Sequence, residues 1–213
     1  MFHLWALFSS TLLFVAFCGL IFLFIKKTEI DKELRLFVIY LTIAFIMESV
    51  LLFFATKKNN LFFHHIYAPI EFGLLSFLLI QWESKFKKAF IIAAVFYLVY
   101  RFGEIFFLED WFRFNTSSMT VQSLLLFLLA TRIFYIIATS SLIPFYRDYR
   151  FYIAVGIMTW NGFHAIIFIL LSFFELSIGF FFYSLGNILG YLSFFWTSIC
   201  YYKQKQRILK TFY

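Results

Sequence analysis

Charge is what this chain has least of. Only 14% of its 213 residues are charged, where a soluble domain carries about 25%. That excludes an ordinary water-soluble globule, because 63% hydrophobic residues cannot be hidden beneath so thin a polar surface. Cysteine is nearly absent too. Cys18 and Cys200 both sit inside apolar runs, with no metal-motif spacing and nothing that asks for a disulfide. The N-terminus lacks the positive region of a cleaved leader. Its apolar run continues to Ile25 and meets Lys26 and Lys27 at the far end, so it is read as a retained span. The loops are too short to fold separately, which leaves one domain.

What the chain has is hydrophobic length. A quarter of it is aromatic, with 36 phenylalanines, read as packing and lipid-facing mass. A bilayer core needs about 20 apolar residues of helix. Candidate spans run over 4–25, 34–55, 61–80, 89–108, 119–139, 151–173 and 178–201. The expectation is an all-α, polytopic seven-transmembrane-helix bundle filling 1–213.

The few charges set its direction. Lys26, Lys27, Lys32, Arg35, Lys85, Lys87, Lys88, Arg147, Arg150, Lys203, Lys205, Arg207 and Lys210 fall on one side; Lys57, Lys58 and Arg113 fall on the other. The positive-inside rule then places the C-terminus in the cytoplasm and, with seven spans, the N-terminus outside. The net charge of +7 serves orientation, so nucleic acid is not an expected partner.

Ionisable residues at bilayer depth are costly and are functional-site hypotheses by default. Glu48, Glu71, Arg101, Glu104, Arg132 and His164 are of this kind, and Asn161 and Asn187 add neutral polar groups. By helical rise, all but Arg132 fall in the middle or outer half of their spans. Tyr97, Tyr100, Arg101 and Glu104 share one helical face, as do Tyr67 and Glu71, and Tyr183, Asn187 and Tyr191. Pro69 lacks a donor and should free a carbonyl inside the cavity. The expected ligand-binding set is Glu48, Tyr67, Glu71, Tyr100, Arg101, Glu104, Arg132, Asn161, His164 and Asn187. A network that only fixes helix packing is the alternative. Adjacent His64 and His65 are read as interfacial, since no paired-ligand motif is present. No metal or cofactor is expected.

Gly186 and Gly190 form a small-x-x-x-small step that lets a second helix approach closely. It is read as packing within the chain, or else as the face of a homodimer or another membrane partner. A shift of 116 residues sets Tyr67 on Tyr183, Glu71 on Asn187 and Glu48 on His164. A three-plus-one-plus-three repeat of the kind seen in transporters would give that pattern.

Asn59-Asn60 followed by Tyr67-x-Pro69-x-Glu71-Phe72 resembles a segment of small seven-helix bacterial inner-membrane proteins of unknown function. The likeness covers the second and third spans. It implies a bacterial inner membrane and a seven-helix bundle, and it supplies no activity. Three function classes remain open. The first is a sensor- or receptor-like component that binds a small polar ligand and acts through a membrane partner. The second is a transporter of a small polar or anionic solute. The third is a lipid-acting enzyme using His164 with Glu48 or Glu71.

Overall fold

The computed structural model describes residues 2–25, 30–54, 61–83, 85–107, 116–140, 144–171 and 176–211. Lys26, Lys27, Lys57, Lys58, Asn59, Asn60 and Arg113, and the side chains of His64 and Lys210, lie outside the described residues. Among the described residues the chain is all-α, with seven helices and no strand. They are α1 (Phe2–Ile25), α2 (Lys32–Phe54), α3 (Leu61–Trp82), α4 (Lys87–Phe107), α5 (Thr116–Ser140), α6 (Tyr149–Leu171) and α7 (Leu176–Thr211). Among the described residues, two segments are long and apolar enough to cross a membrane, Ser117–Thr139 and Tyr149–Leu170.

Local chemistry sets several helix ends. The Asp148 carboxylate accepts the Arg150 N–H at 3.0 Å, capping α6 after a short 3-10 turn over Phe145–Arg147. Glu83 accepts the N–H groups of Lys85 and Phe86 at 2.7 and 3.1 Å just ahead of α4. Pro69 sits inside α3 and cannot donate to the carbonyl one turn back, yet the helix runs through it. The seventh helix does not stop where hydropathy does. It continues past Tyr201 to Thr211, and its 36 residues make a rod about 54 Å long.

Six helices close into a ring in the order α1, α7, α6, α5, α3, α2, and α4 lies outside it against α3. Aromatic rings fill the centre. Phe194 meets Phe37 and Tyr40 edge-on at 5.0 and 6.3 Å, and Trp160 lies 6.4 Å from Tyr40 and 6.2 Å from Tyr191. The tightest seam joins α6 to α7, and glycine makes it. A Cβ on Gly186 would stand 2.6 Å from the Phe163 Cβ, and one on Gly190 would stand 3.2 Å from the Trp160 Cβ. The close approach read from the glycine spacing is therefore made within the chain, and a homodimer across that step finds its surface already covered.

Candidate functional site

Polar groups collect at one end of the bundle, where α2, α4 and α6 finish and α3, α5 and α7 begin. Glu71 on α3 is buried, with its Oε1 accepting the hydroxyls of Tyr67 at 3.0 Å and Tyr40 at 3.4 Å. Its Oε2 accepts the Gln122 amide at 3.5 Å. These three partners are uncharged. Gln122 passes the network outward, because its Oε1 accepts the Tyr97 hydroxyl at 3.0 Å.

Next to it stands Arg101, a guanidinium with 0% exposure. Such a group is tolerated in an apolar interior only when paired and hydrogen-bonded. Nη1 donates to Glu104 Oε2 and to Ser118 Oγ, both at 2.8 Å, and Nη2 lies 2.9 Å from His65 Nδ1. Tyr100, half exposed, donates to Glu104 Oε1 at 2.9 Å. This clasp ties the outlying α4 to α3 and α5.

A second group lies across the ring on α2, α6 and α7. The Tyr191 hydroxyl donates to Glu48 Oε1 at 3.4 Å. The Trp160 indole donates to His164 Nε2 at 3.0 Å, and His164 stacks on Tyr183 with centroids 4.5 Å apart. Asn187 is buried between Tyr183 and Tyr191 on the same face of α7, and its Oδ1 finds no hydrogen-bond partner among the described residues. Tyr40 of the first group lies 6.4 Å from Trp160 of the second, and Trp160 lies 6.2 Å from Tyr191, so the two groups adjoin across the ring as one polar chamber.

Of the ten expected residues, Glu48, Tyr67, Glu71, Tyr100, Arg101, Glu104, His164 and Asn187 meet at this end. Asn161 is buried there, but its amide turns back to the Ile157 carbonyl at 2.9 Å on its own helix. Arg132 is not brought to them. It pairs with Glu83 at 2.9 Å near the opposite end. Burial pushes the Glu83 carboxyl up, but the Phe86 N–H, Arg132 and the Lys85 N–H more than offset this and leave it below the usual carboxylate range.

His65 departs from expectation. It is 1% exposed and holds Arg101, so it belongs to the clasp and not to an interface. Tyr40, Ser118, Gln122 and Trp160 were missing from the expected set. Gln122 carried a signal, an amide within an apolar helix, four residues after Ser118. Among the described residues no group of three or more histidine, cysteine, aspartate or glutamate side chains could hold a metal ion. Compared with protein-family models, curated proteins and solved structures, the chain matches none of them.

Proposed function

We propose that this chain is a multi-pass protein of the cytoplasmic (inner) membrane. All seven helices span, with the N-terminus outside and the C-terminus in the cytoplasm, and the polar chamber faces outward. In this reading it is receptor-like: the chamber binds a small polar ligand from the outer side, and occupancy is passed to a membrane partner. One observation carries it, the asymmetry of the interior. Glu71, Arg101, Glu104 and His65 are buried at one end with Tyr67, Tyr97 and Tyr191, while at the other the buried carboxylates Glu83 and Asp148 are each paired with an arginine, Arg132 and Arg150, over a layer of fully buried Leu34, Leu75, Leu78, Ile133 and Ile153. An apolar plug under a polar chamber suits binding and conformational readout better than passage.

Transport of a small polar solute is the second reading. Glu71 favours it, as a buried carboxylate reached only through uncharged hydroxyls and an amide, the kind of group that accepts a coupling ion in carriers.

Two measurements test the proposal. With Cys18 and Cys200 replaced, a membrane-impermeant thiol reagent should label Ser117→Cys from outside and Lys203→Cys only after permeabilisation; the reverse pattern would refute the orientation. Proteoliposomes exposed to gradients of ammonium, carboxylate and phosphate salts should show no solute-driven current. A current abolished by Glu71→Gln would replace the receptor reading with transport.

A further inference from the structure

The structure leaves the chamber with carboxyl groups that meet only neutral donors, and with an acceptor that nothing fills. Both intramembrane arginines are spent elsewhere, Arg101 on Glu104 and Arg132 on Glu83. Glu48 accepts from Tyr191, and Glu71 accepts from Tyr40, Tyr67 and Gln122, all of them neutral. The Nε2 of His164 takes the Trp160 N–H, so that nitrogen bears no proton and brings no positive charge. One turn from Tyr191, the Asn187 side chain is 97% buried and hydrogen-bonds Tyr183, and its Oδ1 is left without a partner among the described residues. A buried orphan acceptor marks a donor still to be supplied.

The walls are aromatic. Tyr183 and Tyr191 stand one turn to either side of Asn187, with Trp160 behind Tyr191 at 6.2 Å. Electron-rich ring faces attract a desolvated cation. Glu48 and Tyr183 are only half-buried. We propose that the α2–α6–α7 side of the chamber binds a small organic ammonium. Its N–H groups reach the Glu48 carboxylate and the Asn187 carbonyl oxygen, and its apolar body rests on Tyr183 and Tyr191. This rests on the reading of the chamber as a ligand site and names the class of ligand. An anion is disfavoured because no uncommitted cation faces it among the groups named above.

The test is calorimetric titration of the full chain in lipid nanodiscs with ethylammonium chloride, tetramethylammonium chloride and sodium phosphate. Ethylammonium should saturate one site. Tetramethylammonium, having no N–H to donate, should bind at least about tenfold more weakly, and Glu48→Gln should weaken ethylammonium by a similar factor, the scale of a lost charge-assisted hydrogen bond. Asn187→Asp places a carboxylate where the orphan oxygen lies and should tighten ethylammonium by about tenfold. A purely structural asparagine would not give a gain. Failure of ethylammonium to saturate, weakening by Asn187→Asp, or indifference to Glu48→Gln would each overturn the inference. Saturable phosphate binding in its place would overturn the ammonium while leaving a ligand chamber. An ethylammonium current across proteoliposomes would leave the ammonium standing and remove the receptor reading.

Discussion

Arg101 offers the sharpest energetic test. Its guanidinium is fully buried and reaches three side chains from three helices: Glu104 on its own α4, Ser118 on α5 and His65 on α3. Replacing it with methionine keeps much of the volume but strands the Glu104 carboxylate, which is 8% exposed, without its cation. Breaking a buried pair by removing one partner costs about 3–5 kcal/mol. Removing both is far milder, because matched apolar groups leave no uncompensated charge. The expected order is therefore Arg101→Met least stable, Arg101→Met with Glu104→Met partly restored, and wild type most stable. Arg101→Lys should fall between, since a point ammonium cannot reproduce a fork that serves three partners. Reversible unfolding in mixed micelles by a graded denaturing detergent reads these differences directly. A loss below about 1 kcal/mol in Arg101→Met, the scale of an exposed pair, would refute the clasp. So would a double variant no better than the sum of the two single ones.

Gly186→Ala should lower stability by about 1–3 kcal/mol, the usual cost of overpacking, because its Cβ would press on Phe163 at 2.6 Å. Gly73→Ala, with nothing within 4 Å of its Cβ, should be neutral or stabilise by up to about 1 kcal/mol through helix propensity. Thermal melts of the two separate them. Glu83 should make stability depend on pH. Its carboxyl is held below the usual range, so its contribution is full above the ordinary carboxylate value of about 4.3. That contribution is lost as pH falls through the lower folded-state value. Melting between pH 3 and 7 should show the loss in wild type and a flatter profile in Glu83→Gln; matching profiles would sink this assignment.

The sequence was most legible where hydropathy alone decides. The helix read over 61–80 is Leu61–Trp82, and the one read over 89–108 is Lys87–Phe107. It was least legible at the end of α7. Hydropathy falls at Lys203, but Lys, Gln, Arg and Leu are all good helix formers, so the backbone bonding continues. The candidate site divides the same way. The face shared by Tyr97, Arg101 and Glu104 follows from helical spacing, and these residues do act together. What they act with does not follow, because the rotation of each helix about its axis decides it. Nearly every residue of these helices is apolar, so the pattern marks no inward face clearly. Gln122, Ser118, Tyr40 and His65 became members of the network only through packing.

The length of α7 has a mechanical consequence. Tyr183, Asn187 and Tyr191 lie near one end of the rod; Tyr201 and Lys205 lie farther along, where Tyr201 accepts the Asp31 N–H at 3.1 Å and Lys205 holds the Asp31 carboxylate at 2.9 Å. From Asn187 to Lys205 is about 27 Å of unbroken helix. In the receptor-like reading proposed above, α7 would be the rod that carries a turn at the chamber to Asp31 and the start of α2.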